Sequence, residues 1–309
     1  MNKRPVIHVV DPIHQDVIEF LRQQAVVLTP EVSFPSDCDA VIVRTKAISA
    51  KDLAACPNLK IIGKHGSGLD AIDVDAANAR GVTVLSTPGA NAESVADLAI
   101  CFALALIRNL QRLSSATKEG RAASADEKNG YDLGELEAGI FGLGAVGRAT
   151  ARRLSQGFGA DVHAYDPGIA EEQWPAGIRR ARSLDDILKN SRIVFLHAPL
   201  LPSTRNLIDA AALKLMPKGS YLVNCARGGI VDEAALASAL LSGHLAGAAS
   251  DVFAVEPPEP SNPLLSCPTF IATPHVGGAT NGALRRVGQS IAEQVLSSLG
   301  RSNSPARYS

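Results

Sequence analysis

Short apolar runs alternate with amphipathic segments along most of the chain, and this alternation predicts strands that alternate with helices. Before residue 91, strands are predicted at residues 6–10, 25–28, 40–43, 59–62 and 82–85, and helices at 15–24, 49–55 and 74–79. A second series of strands is predicted at residues 139–141, 162–165, 193–196, 220–224, 246–250 and 269–272. Strands connected through helices pair in parallel. The pattern therefore predicts an α/β protein with two doubly wound parallel sheets.

A segment with a different pattern lies between the two series. Residues 92–117 predict one long helix whose apolar middle can be buried on more than one side, as in a helix wedged between domains. Residues 118–133 are polar and contain glycine, which indicates a connecting segment. A last amphipathic helix is predicted at residues 281–299. A chain of 309 residues is long enough for two domains.

A glycine motif follows the first strand of the second series. Gly142, Gly144 and Gly147 form G-x-G-x-x-G ahead of a helix predicted from Arg148. In this context the glycines allow a tight turn, the approach of a pyrophosphate, and close packing of a helix whose N-terminal N–H groups face the phosphates. Asp166 follows about 20 residues further on, where a carboxylate binds ribose hydroxyls and repels a 2′-phosphate. The motif predicts NAD rather than NADP; the alternative is a surface Asp in an ordinary βαβ unit.

Polar residues follow three later strands of the second series, namely Arg227, Glu256 and His275. In open α/β sheets, ligands bind beyond the carboxyl ends of the strands. An Arg can bind a carboxylate and polarise the adjacent carbonyl, and a protonated His can donate a proton as hydride arrives. A Glu beside the His favours its charged form and orients it. The set suits reduction of a 2-keto acid, although singly the Arg could support a turn, the Glu be a solvated loop acid, and the His be structural.

Charge and cysteine content argue against several other classes of protein. The net charge of −1 gives no global attraction to nucleic acid or to an anionic membrane. The five cysteines are scattered without the spacing of a metal or disulfide framework, so we expect no metal, reduced thiols and a cytoplasmic location. The apolar run at residues 6–10 indicates a strand rather than a signal peptide, and the longest run, at 98–107, is too short to span a bilayer.

Several segments are specific enough to indicate a family. The most specific are residues 223–233, 249–253 with 256–258, and 273–278, and residues 86–97 and 197–204 share the likeness. With these motifs the chain resembles the D-isomer-specific 2-hydroxyacid dehydrogenases over nearly its whole length. The resemblance implies two Rossmann-like domains with an active-site cleft between them. The substrate-binding domain would be discontinuous, residues 1–91 and 284–309, and the NAD-binding domain would span residues 92–283.

The resemblance also implies roles for individual residues. Arg227, Glu256 and His275 would form the catalytic set that interconverts a small 2-keto acid and its D-2-hydroxy acid, with His275 as proton donor and acceptor. The residues implied in NAD binding, together with the glycine motif, are Gly142, Gly144, Ala145, Val146, Gly147, Asp166, His197, Ala198, Pro199, Thr204, Cys225, Ala226, Arg227, Asp251, His275, Gly277, Gly278 and Thr87. The residues expected at the substrate are Arg44, Lys64, His65, Gly66, Ser67 and Gly68.

The loop at residues 63–70 bears on the choice of substrate. In the family this loop closes over the substrate carboxylate through backbone N–H groups. Lys64, His65 and Ser67, with Arg44 at the end of a neighbouring strand, favour a polar or anionic tail on the substrate; the alternative is that Lys64 and His65 face solvent. The chain looks most similar to phosphoglycerate dehydrogenases and hydroxypyruvate or glyoxylate reductases, and it is expected to lack the C-terminal regulatory domain of longer phosphoglycerate dehydrogenases.

Three further expectations complete the sequence-based interpretation. The family suggests a homodimer. Fewer residues than usual separate Leu136 from Gly139, so the first strand of the second series is expected to be short at its start. A binding protein that senses NAD(H), like the corepressors that share this fold, stays an alternative to the dehydrogenase because such proteins can retain the same three polar residues.

Overall fold

The structure is a computed structural model that describes residues 4–29 and 37–302, with the side chains of 301 and 302 left aside. The described chain forms two compact units. The first contains the residues up to Asn91 and those from Gly278 onward, and the second is Ala92–Gly277. The return to the first unit therefore lies at Gly278, whereas the sequence placed it at residue 284.

The first unit is built on a parallel sheet of five strands in the order β2-β1-β3-β4-β5. This is the order of flavodoxin-like doubly wound sheets. The strands are β1 Val6–Val9, β2 Val26–Leu28, β3 Ala40–Val43, β4 Ile61–Lys64 and β5 Thr83–Leu85. The helices are α1 Gln15–Arg22, α2 Ala50–Ala55, α3 Val74–Ala79 and, from the end of the chain, α11 Asn281–Ser302. Apolar clusters fill both faces of this sheet.

Asp11, just after β1, shapes the chain that leaves β3. Its carboxylate accepts hydrogen bonds from the backbone N–H groups of Arg44, Thr45 and Lys46 and from the Thr45 hydroxyl, at 2.6 to 3.3 Å. Burial raises the pKa of Asp11, but these hydrogen bonds outweigh it and leave the pKa below its usual value. The acid thus fixes the backbone that presents the Arg44 side chain.

The second unit is built on a parallel sheet of seven strands in the order β12-β11-β10-β9-β6-β7-β8. The chain starts in the middle of the sheet, at β6, and the order reverses between β6 and β9, which is the dinucleotide-binding arrangement. The strands are β6 Ala138–Phe141, β7 Val162–Tyr165, β8 Arg179–Arg180, β9 Ile193–Leu196, β10 Ser220–Asn224, β11 Leu245–Ser250 and β12 Phe270–Ala272. Two parallel-sheet α/β units therefore confirm the predicted fold class.

Helices cover both faces of the second sheet. They are α4 Ala92–Ile107, α5 Leu110–Lys118, α6 Ala125–Lys128, α7 Ala145–Arg152, α8 Leu184–Asn190, α9 Ala210–Leu215 and α10 Glu233–Leu241. Two apolar clusters, one on each face, pack the β-branched and aromatic residues of the strands against these helices. In the part of the chain that the structure describes, no helix combines the length and apolar character that a membrane span requires.

The single helix predicted over residues 92–117 is wrong, because two helices, α4 and α5, meet at Asn109. This residue has a left-handed backbone, φ 49°, which an Asn adopts more readily than most residues. Its amide Nδ2 donates to the carbonyl oxygen of Glu127 at 3.1 Å. The connecting segment therefore ties down the break, and that segment itself contains α6, a helical turn capped by the Ser124 hydroxyl.

The expected shortening of β6 is not observed. Ala138–Phe141 has four residues, as β7 and β9 do, and it pairs with both over its full length. Arg179–Arg180 is exposed and forms the edge strand β8 beside β7, a strand that was not among those predicted. The short segment between Leu136 and Gly139 therefore does not shorten β6.

Candidate active site

The turn after β6 requires glycine at two positions. Gly142 has φ +91°, and a Cβ there would lie 2.5 Å from the backbone nitrogen of Ala198. A Cβ on Gly147 would lie 2.1 Å from the carbonyl oxygen of Gly142. The absence of a side chain at Gly142 therefore lets the turn approach the loop after β9, and its absence at Gly147 lets helix α7 pack directly against the turn.

The N-terminus of α7 is open. Its N-cap, Gly144, makes no side-chain hydrogen bond, and a Cβ built there would meet nothing within 4 Å. The helix begins at Ala145, three residues before the predicted start, so the N–H groups of Ala145 and Val146 belong to its first turn. Free N–H groups and the positive end of the helix dipole suit a phosphate group. The residues present therefore fit the pyrophosphate of a dinucleotide.

Asp166 is fixed beside this turn at the end of β7. Its Oδ2 accepts a hydrogen bond from the backbone nitrogen of Leu143 at 2.8 Å, and its Oδ1 accepts one from that of Gly168 at 2.9 Å. Each carboxylate oxygen has a second lone pair for a further donor such as a ribose hydroxyl. The glycine turn thus orients Asp166, the acid that was predicted from its spacing to the glycine motif.

The loop after β9 contains two predicted cofactor residues whose side chains hold the loop together. The Thr204 hydroxyl donates to the carbonyl oxygen of Pro199 at 2.7 Å and accepts from the nitrogen of Leu201 at 2.7 Å. The His197 ring makes a 3.0 Å hydrogen bond through Nε2 with the Thr150 hydroxyl of α7, and its Nδ1 is buried. Burial lowers the pKa of His197 to about 3, so the imidazole is neutral at physiological pH.

Asn224, the last residue of β10, shapes the loop that carries Arg227. Its Oδ1 accepts from the nitrogen of Ala226 at 3.0 Å, and its Nδ2 donates to the carbonyl oxygen of Arg227 at 3.1 Å. Cys225 is buried within this turn, and burial raises the pKa of its thiol. The Arg227 guanidinium donates from Nη1 to the carbonyl oxygen of Ala226 at 2.7 Å. Sequence reasoning assigned no role to Asn224, although an Asn at a strand end was a signal for this turn.

The predicted pair of Glu256 and His275 is in direct contact. Nδ1 of His275 lies 2.8 Å from Oε2 of Glu256, and Oε1 of Glu256 accepts from the nitrogen of Phe253 at 3.0 Å. Burial raises the pKa of Glu256, but the hydrogen bonds from His275 and Phe253 and the charge of Arg227 outweigh it and leave the pKa lowered. The pair is therefore a carboxylate hydrogen-bonded to one ring nitrogen of an imidazole.

Asp251 holds the loop of His275 in place. This acid is only 2% exposed; its Oδ1 accepts from the Thr273 hydroxyl at 2.6 Å and from the Val276 nitrogen at 2.8 Å, and its Oδ2 accepts from the Gly277 nitrogen at 2.8 Å. His275 itself has φ +53°, a left-handed backbone that few non-glycine residues adopt. The Asp251 side chain, which was predicted to contact NAD, thus forms its hydrogen bonds with the loop that carries His275.

All six predicted substrate residues, and two of the predicted cofactor residues, belong to the first unit. The Lys64 Nζ donates to the carbonyl oxygen of Arg44, and the His65 Nε2 lies 3.1 Å from the carbonyl oxygen of Leu284 in α11. Both side chains are buried, so the alternative that they face solvent is wrong. Burial lowers the pKa of His65, so this ring is neutral at physiological pH.

Thr87 closes the glycine loop of the first unit. Its nitrogen donates to the carbonyl oxygen of Gly66 at 2.9 Å, and its hydroxyl accepts from the Gly66 nitrogen at 3.1 Å. The N–H groups of Ser67 and Gly68 make no hydrogen bond within the described residues. Gly278, the other predicted cofactor residue here, lies beside the Asn91 side chain. Across both units, no three His, Cys, Asp or Glu side chains of described residues are grouped for a metal ion.

Comparison with known proteins assigns the second unit. Residues 100–277 match the model of the D-isomer specific 2-hydroxyacid dehydrogenase family, NAD binding domain. A hydroxypyruvate reductase of Thermotoga maritima is 37% identical over 305 residues, which are 95% of this chain and 98% of that protein. A D-3-phosphoglycerate dehydrogenase of Methanocaldococcus jannaschii is 37% identical over 94% of this chain, but the chain spans only 56% of that relative's length.

Solved structures agree with this assignment. A D-lactate dehydrogenase from Aquifex aeolicus, in complex with NAD and lactic acid, has a TM-score of 0.84 at 26% identity, with 96% of each chain covered. The family model, the full-length sequence match and the sheet order all point to the same group of proteins. The chain belongs to the D-isomer-specific 2-hydroxyacid dehydrogenase family, and its cofactor is NAD.

Proposed function

We propose that this protein interconverts a 2-keto acid and its D-2-hydroxy acid, with NAD as the redox cofactor. The observation that carries the proposal is the 2.8 Å contact between Glu256 and His275, in loops that follow strands of the NAD-binding sheet. A carboxylate–imidazole pair at this edge of the sheet supplies a proton donor and acceptor where the ligand of such folds binds.

The proposed chemistry follows from the atoms that remain available. NAD, when bound, supplies or accepts the hydride. His275 is held through Nδ1 by Glu256, so its Nε2 is the nitrogen that donates a proton to the carbonyl oxygen, or removes one from the hydroxyl in the reverse direction. The ionised Glu256 stabilises the imidazolium and fixes its orientation. Arg227 binds the substrate carboxylate and polarises the carbonyl.

Cofactor contacts are assigned from the same arrangement. The pyrophosphate is proposed to lie at Gly144, Ala145 and Val146, and Asp166 to bind the adenosine ribose. A 2′-phosphate at that position would meet the Asp166 carboxylate, which favours NAD over NADP. We expect Asp166→Ala to raise the KM for NADH and to narrow the preference over NADPH, measured as the ratio of kcat/KM for the two cofactors.

The proposed substrate is an acid with a polar or anionic tail. The relatives named hydroxypyruvate reductase and D-3-phosphoglycerate dehydrogenase support this class. The N–H groups of Ser67 and Gly68 are proposed to receive the substrate carboxylate, and Arg44 to face the tail. Lys64 and His65 are bound to backbone carbonyl oxygens, so their contribution is proposed to be the shape and charge of the loop rather than a direct contact.

The test is NADH oxidation with pyruvate, glyoxylate, hydroxypyruvate, phosphohydroxypyruvate and sulfopyruvate, with NADPH in parallel. Turnover of an acid with a polar or anionic tail at higher kcat/KM than pyruvate supports the proposal, and a preference for pyruvate contradicts the assignment of the tail. NADH binding without turnover of any acid would favour the NAD(H)-sensing protein instead.

The assembly and location are proposed on separate grounds. A homodimer is supported by apolar side chains on the surface of the second unit, among them Leu110 at 60% and Tyr131 at 42% exposure. Light scattering coupled to gel filtration would measure the mass; a monomer across the concentrations used for activity would contradict it. A cytoplasmic location is proposed from the scattered cysteines, all of which are thiols in the structure.

A further inference from the structure

Glu233, the first residue of α10, joins both ends of the segment that carries Glu256. Its Oε1 accepts a hydrogen bond from the nitrogen of Ala254 at 2.8 Å, and its Oε2 accepts one from Nδ2 of Asn262 at 2.7 Å. Residues 254–262, here named the acid loop, therefore begin and end on a single carboxylate.

The acid loop has few other attachments. Residues 254–257 and 259–261 are exposed, and prolines at 257, 258 and 260 have no N–H group to donate. Two hydrogen bonds join the loop to itself, from the nitrogen of Asn262 to the Glu259 carbonyl oxygen and from the Ser261 hydroxyl to the Glu259 side chain. Among the described residues, its hydrogen bonds to distant elements are the two to Glu233 and the one between Glu256 and His275.

The side chain at position 233 must accept two hydrogen bonds, one on each oxygen. The backbone N–H of Ala254 can only donate, and the Asn262 amide is held with Nδ2 toward Glu233 because its Oδ1 accepts from the nitrogen of Leu264 at 3.0 Å. A glutamine at position 233 would turn an N–H group toward one of these donors. The helix does not need Glu233 as its cap, because Asp232 accepts from the nitrogen of Ala235 at 3.0 Å.

We infer that Glu233 is a positioning residue for the proton transfer, since it holds the acid loop where the Glu256 carboxylate meets Nδ1 of His275. The inference rests on the proposed function. Glu233 bonds to neither Glu256 nor His275, and it acts through the backbone of Ala254, two residues before Glu256. Releasing the loop lets Glu256 leave the imidazole, so the charged form of His275 is no longer stabilised.

The experiment compares Glu233→Gln with Glu259→Gln. Both remove one negative charge, but among the described residues the Glu259 side chain forms a hydrogen bond only with Ser261, within the loop. We expect Glu233→Gln to lower kcat for keto-acid reduction by about tenfold, a fraction of the 10² to 10⁴ that general acid catalysis contributes. We expect the KM for NADH to stay within about twofold, because the residue does not contact the glycine turn. The alkaline limb of the pH–rate profile should move to lower pH, and Glu259→Gln should match the wild type in each respect.

Two structural readouts accompany the kinetics. Deuterium uptake at the Ala254 amide should rise in Glu233→Gln and stay at the wild-type level in Glu259→Gln, since only the former leaves a single acceptor oxygen for the two donors at Ala254 and Asn262. The pH titration of the His275 ring, followed by NMR, should shift in the same direction as the rate profile.

Asn262→Asp is a second variant of the same contact. It keeps the acceptor for Leu264 but places a carboxylate opposite Glu233, so it should behave like Glu233→Gln, and it replaces Glu233→Gln if that variant does not fold.

The outcomes separate the inference from the proposed function. A wild-type enzyme that reduces keto acids, together with a Glu233→Gln variant of unchanged kcat and pH profile, would overturn the positioning role alone. A wild-type protein that turns over none of the acids overturns the proposed function. In that case the NMR titration of His275 in the two variants still decides whether Glu233 sets the contact between Glu256 and the imidazole.

Discussion

At the scale of single residues, the site combines one oriented imidazole with neighbours that fix it. His275→Ala removes the proposed proton donor, so kcat should fall by about 10² to 10⁴. NADH affinity should change little, because the glycine turn and Asp166 are bonded independently of this loop. Stopped-flow binding of NADH and steady-state turnover measure the two effects separately. His244→Gln is the control, since its ring lies in the same unit and forms a hydrogen bond with the Leu213 carbonyl oxygen, away from the loop of His275. Retained turnover in His275→Ala would contradict the assignment.

It was predictable which polar residues follow the strand ends and that Glu256 would lie beside His275, whereas the contacts that hold their loops in place were not predictable. Arg227, Glu256 and His275 follow strand ends, and the topology of a parallel sheet gathers strand ends at one edge. The bonds of Glu233 to Ala254 and Asn262 join positions 21 and 29 residues apart through loop geometry that no periodicity encodes. For the same reason the sequence did not decide whether the Lys64 and His65 side chains face the substrate or the solvent, whereas in the structure both are buried.

At the scale of elements, the loop after β12 depends on an acid from the end of β11. Asp251→Asn replaces one acceptor oxygen by an NH₂ group that faces the N–H of Gly277 or the donors at Val276 and Thr273. An unsatisfied buried group costs about 1–3 kcal/mol, so the free energy of unfolding of the second unit should fall by that amount, and kcat should fall with it. Urea unfolding followed by circular dichroism and steady-state kinetics measure the two.

The matched control for this change is Asp209→Asn at the N-cap of α9. In the described part of the chain, that carboxylate accepts a hydrogen bond only from the nitrogen of Ala212, and Asn caps a helix about as well as Asp. The control should therefore unfold at the same urea concentration as the wild type. Equal stability and activity in Asp251→Asn would show that the loop of His275 is held by other contacts.

Element boundaries were predictable where the pattern was strong. The buried strands β3, β7, β9 and β10 have the predicted limits, because each is a short, mostly apolar segment bounded by polar residues. The break between α4 and α5 was not visible, since the residues around Asn109 keep a helical spacing and the left-handed turn is stabilised by the distant Glu127 carbonyl. Strand β8 was missed because two arginines carry no strand signal and pair only at the sheet edge.

At the scale of the whole molecule, buried neutral histidines link stability to pH. The pKa of His197 is lowered to about 3 by burial, whereas the ordinary pKa of a histidine in an unfolded chain is near 6.5. Between these values the unfolded chain binds a proton that the folded chain does not. The stabilisation that comes from keeping this ring neutral is therefore present above pH 6.5 and is lost as the pH falls toward about 3. His65 and His163, whose pKa values burial also lowers, act in the same direction.

A substitution isolates the contribution of His197. His197→Gln keeps a polar group that can reach the Thr150 hydroxyl but cannot take up a proton at these pH values. The wild type should lose about 1.4 kcal/mol more stability per pH unit than His197→Gln across this window, because one proton fewer separates the folded and unfolded states of the variant. Thermal unfolding of both proteins at pH values between about 4 and 7 measures the two slopes. Parallel slopes would mean that His197 takes up a proton as readily in the folded protein as in the unfolded chain. That result would contradict the conclusion that the buried ring between α7 and β9 is neutral.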